Sequence, residues 1–489
     1  MTGPSGSDDL DTETGDTETD DLETMRALAT ELSFRADDDV LEESLEKASR
    51  LRDRLAVESL TPAEGEPRGH LSEDEHNALL YVYDTPRTET NGGPLAGLTF
   101  AIKDEIAVRD LQMTCGVKNL LYVPSYDATV TERLVNAGAT IVGKANMYAF
   151  GVGKRSEFGR ARNAVDDSRI PGGSSSGSGV AVGSGLVDAS IGSDAGGSVR
   201  IPAAFNGVVG VKPTTGTVSS FGSVSTMQTL GTKGIITRTI EDAARTLDVI
   251  AGPDRRDPGT WGRELESTAE HLDEEPSCTI GLPDSLFDDS DPEVRDVITE
   301  LVDDIREQTD CSVRRISFDN SMDHLPPYLS GPELAWLLRQ GGVNHGGGTA
   351  LDPTTHHFLQ AIQHSDFNDI ISRKKLPHAY LDAETEGMLY ATAHRNVYEY
   401  RETVAAYFDD VDLLLTPTVP LLPPPVADDI DDEPSTSGNT RPFNLAGTPA
   451  ITVPAGERNG LPVGAQIVAP AFEDARAFRG ARMVERLRQ

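Results

Sequence analysis

The chain reads as an α/β protein organised around a largely buried sheet. Strand-like and helix-like apolar runs alternate through residues 97–250, the pattern of a layered sheet with helices packed on it. Apolar residues make up 37% of the 489 residues, lean but sufficient for a chain of this length to bury a large core. No repeat period occurs, which sets aside solenoids and propellers.

Residues 1–22 are mostly Asp, Thr, Glu and Gly with almost nothing to bury, and an acidic tail without structure is expected there. Leu28, Leu32, Leu41, Leu45 and Leu51 then recur at near-helical spacing. They predict two short amphipathic helices meeting around residues 34–39, in a segment 23–65 that packs on the main body. The body, residues 66–489, opens its α/β pattern with strands over 98–108, 140–143, 187–192 and 207–212 and helices over 128–137 and 240–250. Apolar density then falls, and about 253–400 is expected to be a variable cap or insertion. A strand over 411–415 runs into a proline-rich stretch, 416–434, that reads as loop. The end returns to strands over 450–454 and 463–468 and a helix over 472–487.

Charge excludes some functions without naming one. Eighty acidic against 43 basic residues give a net charge of −37. Such a surface repels phosphate and anionic membranes, so nucleic-acid binding through a basic face is not expected. Dispersed acidity with few lysines also suggests a halophilic protein, whose self-repulsion high salt would screen. Cys115, Cys278 and Cys311 are scattered and odd in number, which offers neither a disulfide framework nor a CxxC metal knuckle and suits a reducing cytoplasm. No 18-residue apolar run and no leader-like pattern occur, so secretion and membrane spanning are not expected. The ten histidines, including His356 and His357, show no metal-ligand spacing, and neither a metal nor another cofactor is expected.

The chemistry should lie in residues 171–213, PGGSSSGSGVAVGSGLVDASIGSDAGGSVRIPAAFNGVVGVKP. Glycines this dense allow positive φ and let backbone N–H groups converge on an anion. A nucleotide P-loop is absent, because Lys144 and Lys154 are followed by Ala145 and Arg155. The GxGxxxG of Gly177, Gly179 and Gly183 lacks a leading strand and an acidic ribose ligand. GxSxG centred on Ser175 lacks the strand that a nucleophile elbow needs. A flexible Gly/Ser linker would not be broken by apolar runs or end in IPAAF.

The pair PGGSSSGSG and GSDAGGSVRIPAAFNGVVGVKPTTG resembles the amidase-signature family. PLAGLTFAIKDEI around Lys103, ATVTERLVNAGATIVGKANM and FNLAGTPAITVPAGERNGLPVGAQIVAP agree in order and spacing. The resemblance covers about residues 90–250 and 405–489, with weaker similarity over 25–60. It implies one large catalytic domain with a mixed central sheet covered by helices on both faces. It implies an amidase, a hydrolase of linear amide C–N bonds working through a seryl acyl-enzyme. The family's nucleophile falls on Ser198, its relay serine, reached through a cis peptide, on Ser174, and its lysine on Lys103.

Those identities have a chemical reason. A serine hydroxyl needs a base to take its proton as it attacks an amide. Lysine serves only if burial lowers its pKa from about 10.4, and Lys103 follows the apolar Phe100, Ala101 and Ile102. Beside Asp104 and Glu105 it could instead be an ion-pair lysine at the surface, and the two serines could be ordinary turn residues. The backbone amides of Ala195, Gly196, Gly197 and Ser198 are the candidate oxyanion donors. Asp194 and Arg200 are expected to brace that turn, with Ser175 in the same network.

Within the family the choice lies between free-standing amidases and the glutaminase-type A subunit of a glutamyl/aspartyl-tRNA amidotransferase, which releases ammonia from glutamine for a partner subunit. In A subunits an acid seven positions before the Asn of NLAG holds the glutamine amino group; here NLAG begins at Asn444 and that position is Ser437. LDxxGP becomes Met227–Thr232, and NMDEF becomes Asn146, Met147, Tyr148, Ala149 and Phe150. These departures favour a free-standing amidase. Its expected partner is a small-molecule amide, with no direct nucleic acid, no membrane, and a homodimer left open.

Overall fold

The computed structural model describes residues 15–55, 64–152, 154–225, 227–339, 368–427 and 433–489, in two units that divide after Thr61. The first unit is a pair of helices, α1 (Gly15–Glu31) and α2 (Asp38–Leu55). Leu22, Met25 and Ala29 repeat at helical spacing and are half-buried, while Arg26 reaches Asp38 at 2.6 Å. The helix begins inside the segment expected to lack structure, which corrects that expectation from Gly15 onward. The apolar positions 22, 25 and 29 need turns ahead of them to propagate a helix, because a short isolated one is marginal. Residues 1–14 lie outside the described residues.

The second unit is built on twelve strands: β1 (Gly69–Leu71), β2 (Leu79–Arg87), β3 (Thr99–Lys103), β4 (Thr140–Ala145), β5 (Ala189–Asp194), β6 (Val209–Lys212), β7 (Thr232–Thr237), β8 (Thr279–Pro283), β9 (Ser312–Ile316), β10 (Leu413–Pro417), β11 (Ala450–Arg458) and β12 (Leu461–Val468). They form one mixed sheet in the order β1-β2-β4-β3-β5-β7-β6-β11-β12-β10-β8-β9. β3 lies parallel to both neighbours, β4 and β5, and β8 is parallel to β9 and β10.

Helices cover both faces. On one, α3 (Thr129–Asn136), α6 (Ile240–Ile250), α8 (Pro292–Gln308) and α13 (Asp474–Leu487) bury apolar stripes against the main core. On the other lie α4 (Ser176–Gly183) and α5 (Arg200–Phe205), then α7 (Asp284–Asp288), α9 (Pro326–Arg339), α11 (Met388–Tyr407) and α12 (Arg441–Ala446), with α10 (Asn368–Glu384) against α9. Strand alternation places the site. Phe100 and Ile102 enter the main core and Ala101 the α4 core, so Lys103 continues on the α4 side.

Three element expectations differ from what forms. The strand expected over 98–108 stops at Lys103, because the Asp104 carboxylate accepts hydrogen bonds from Thr114 N and Gly116 N, both at 3.1 Å, and turns the chain. Residues 253–400 are not all cap: β8, α8 and β9 form a β-α-β extension of the central sheet. β1 and β2 extend the sheet at its other end, before the first strand expected. Cys278 and Cys311, remote in sequence, bring their sulfurs to 2.7 Å just ahead of β8 and β9. No helix among the described residues is long and apolar enough to cross a membrane. Among them no cluster of His, Cys, Asp and Glu could hold a metal, and His356 and His357 lie outside them.

Candidate active site

The end of β3 and two glycine-rich turns, one before α4 and one between β5 and α5, open on a cavity of about 1020 Å³. Lys103 is wholly buried beneath it. Its Nζ donates to Ser174 Oγ at 2.9 Å and Ser193 Oγ at 2.7 Å, and Glu105 Oε1 lies 3.4 Å away. Burial pulls the Lys103 pKa below the ordinary lysine value of 10.5, and the Glu105 carboxylate pulls it back less strongly. The net effect is an amine easier to deprotonate than a lysine in water.

Ser174 follows a cis peptide bond from Gly173. Gly173 must lack a side chain, since the Tyr148 ring occupies the place where a Cβ would stand. Tyr148 N also donates to Ser174 O at 3.0 Å, which fixes the turn from the other side. Ser175 ties the two turns together, its N donating to Ser198 O and its Oγ to Ser193 O, each at 3.2 Å. Ser198 is half-buried and lines the same cavity as Ser174 and Ser193.

The turn that carries Ser198 is held from behind by a buried ion pair. Arg200 Nη2 meets Asp194 Oδ1 at 2.9 Å, and neither side chain is exposed. Arg200 also donates to Thr440 O, Gln466 Oε1 and Asn444 Oδ1 at 2.9, 2.7 and 2.6 Å. Asn444 returns a bond to Asp194 Oδ1 at 2.9 Å. Burial alone would raise the Asp194 pKa, but the Arg200 guanidinium and the bonds from Arg200 and Asn444 outweigh it and hold the group ionised far below the usual range.

The expected oxyanion donors need one correction. Gly197 N donates to Asp194 Oδ1 at 2.8 Å, and Gly197 does not line the cavity. Ala195, Gly196 and Ser198 do line it, so the candidate donors narrow to their amides. Gly197 instead serves the backbone: its φ is +119°, and a Cβ there would run into the Thr440 side chain.

Sequence reasoning missed Ser193 and the pairing of Glu105 with Lys103. Glu105 is 5% exposed, so the lysine and its neighbouring acid are not a surface ion pair. Asn444 stood out only as the start of NLAG; its buried amide on Asp194 is what that segment supplies. Tyr148, Phe150, Met227 and Gly231, all in the departing segments, line the cavity. Among the described residues, so do Ser321 and His324 at its rim and Lys154, Lys233, Arg373, Lys374, Lys375 and Arg441, against the carboxylates of Glu105 and Glu433.

With that geometry in hand, comparison with known proteins is direct. A model of the amidase family matches residues 74–478. The chain is similar to the A subunit of the glutamyl-tRNA(Gln) amidotransferase of Halobacterium salinarum, 38% identical over 417 residues covering 83% of this chain and 99% of that protein. It resembles the crystal structure of the corresponding protein from Thermotoga maritima with a TM-score of 0.68 and 31% identity, over 84% of this chain and 87% of that one. It also resembles a peptide amidase in complex with the inhibitor chymostatin, with a TM-score of 0.66 and 28% identity over 81% and 84% of the two chains.

These likenesses overturn the partner expectation. A free-standing enzyme that meets only a small amide does not fit a chain more than four-fifths of which matches proteins named as subunits of an amidotransferase. The departure at position 437 had pointed the other way. Ser437 Oγ accepts a bond from Arg441 at 2.5 Å, while Glu433, four residues earlier, brings a carboxylate to the same cavity.

Proposed function

The chain belongs to the amidase family, whose members cleave amide C–N bonds, and we propose that it is a glutaminase-type A subunit that releases ammonia from glutamine for a partner subunit. One observation carries the chemistry: a fully buried lysine amine 2.9 Å from the hydroxyl of Ser174, with Ser198 on the wall of the same cavity.

Ser198 Oγ attacks the side-chain carbonyl carbon of the substrate as its proton passes through Ser174 to neutral Lys103. The carbonyl oxygen becomes an oxyanion that receives hydrogen bonds from the amides of Ala195, Gly196 and Ser198, each such donor lowering the barrier by about 3 kcal/mol. Lys103, now protonated and still held by Ser193, returns the proton through Ser174 to the departing nitrogen, and ammonia leaves. Water then repeats the sequence on the Ser198 ester and frees the acid.

The lining supports an amino-acid amide. Glu105 is committed to Lys103, which makes Glu433 the carboxylate for an α-ammonium. Six cationic side chains in an otherwise acidic protein favour an α-carboxylate. The test is ammonia release from glutamine at molar salt, with and without a B-type partner subunit. Release that increases with the partner and vanishes in Ser198→Ala supports the reading. Hydrolysis of simple amides but never of glutamine, partner present, overturns it.

A further inference from the structure

We propose that Cys278 and Cys311 are a modification site, forming a disulfide that staples the edge of the sheet when the protein meets a small-molecule disulfide. The pair stands in register. β8 and β9 run parallel with Thr279 opposite Ser312, so the preceding residues, Cys278 and Cys311, are the next cross-strand neighbours. Ser312 N donates to Cys278 O at 2.9 Å and closes the two chains there. The sulfurs are 2.7 Å apart, between a covalent S–S bond of about 2.05 Å and the separation of two non-bonded sulfurs. Bond formation therefore needs the loss of two S–H protons and two electrons, the latter to the small disulfide, and little backbone movement.

Accessibility divides the work. Cys278 is half-buried and can meet an oxidant, whereas Cys311 is 5% exposed, against Met483 Sδ at 3.8 Å. Cys115 is wholly buried in a separate apolar cluster with Met113 and Val117 and does not compete. Cys278, after giving its proton to solvent, attacks one sulfur of the oxidant. The oxidant's S–S bond breaks, and one thiolate leaves and takes up a proton. Cys311 then gives up its own proton and displaces the second thiolate from Cys278. Two protein thiols and one oxidised small disulfide become one protein disulfide and two small thiols, with protons and electrons balanced.

The position gives the bond a purpose. β9 is the last strand of the sheet and buries little: Ser312, Arg314 and Arg315 are exposed, and Val313 and Ile316 only half-buried. A cross-link between residues 33 positions apart, spanning α8, removes chain entropy from the unfolded state where the folded edge has few apolar contacts of its own.

The test treats the full-length reduced protein with oxidised glutathione. The expected result is a fall from three titratable thiols to one in denaturant, with the 278 and 311 peptides linked and no retained glutathione. The melting temperature should rise by about 4 °C and return on adding dithiothreitol. Cys311→Ala should stop at a stable glutathione adduct on Cys278 with no gain in melting temperature. Three thiols after treatment, or a wild type that keeps its glutathione adduct, would overturn the proposal.

Discussion

At Lys103 two opposed influences decide the protonation of one amine. Burial favours the neutral form, and the Glu105 carboxylate at 3.4 Å favours the ammonium. A base must be neutral to act, so activity rises as pH climbs through the Lys103 pKa. Glu105→Gln removes the group that raises this pKa, and the acid-side limb of the kcat/KM profile should therefore move to lower pH; an unmoved or alkaline-shifted limb would contradict the assignment. Glu433 makes a second residue-scale prediction. Glu433→Gln should raise KM for glutamine about tenfold, the order of one lost charge contact. It should leave hydrolysis of an amide without an α-ammonium unchanged. At this scale Lys103, Ser174 and Ser198 were legible because the motifs around them are local in sequence. Ser193 and Glu433 were not, since each becomes relevant only when a turn brings it to a cavity whose walls come from distant segments.

The element that matters most is the turn between β5 and α5. Its shape depends on Asp194, which gathers Gly197 N, the Arg200 side chain and the Asn444 amide. Removing one partner of a buried ion pair leaves the other charge uncompensated. Arg200→Ala should cost about 3–5 kcal/mol in chemical denaturation and lower kcat by displacing the Ala195, Gly196 and Ser198 amides. A loss below about 1 kcal/mol would show that the network does not hold the turn. Periodicity located α3 and α6 to within a residue, because their apolar stripes are strong and local. It missed β8 and β9 because apolar density is low from residue 253 onward and β9 is mostly exposed, so neither stands out as a buried run. The nearness of Cys278 and Cys311 was hidden for the same reason, since it follows from a parallel pairing that had not been recognised.

For the whole molecule, the excess of 80 acidic over 43 basic residues is the dominant long-range term. Surface ion pairs such as Arg26 with Asp38 weaken in salt, but exposed pairs are worth about 0–1 kcal/mol each, and the surplus acids have no partner to lose. Relief of repulsion should therefore win. The urea midpoint is expected to rise between 0.1 and 2 M KCl as the screening length falls from about 10 Å to below 3 Å; a flat or falling midpoint would contradict a salt-adapted surface. Against that acidic background the cations around the cavity stand out, and under the glutaminase reading they suit the α-carboxylate of a zwitterionic substrate. The most direct measurement of the central claim is peptide mapping after reaction with a fluorophosphonate at high salt. A single adduct on Ser198, formed at least about a thousandfold more slowly in Lys103→Ala, is the predicted result. An adduct on Ser174 or Ser193, or labelling of Ser198 at an unchanged rate without the lysine, would contradict it.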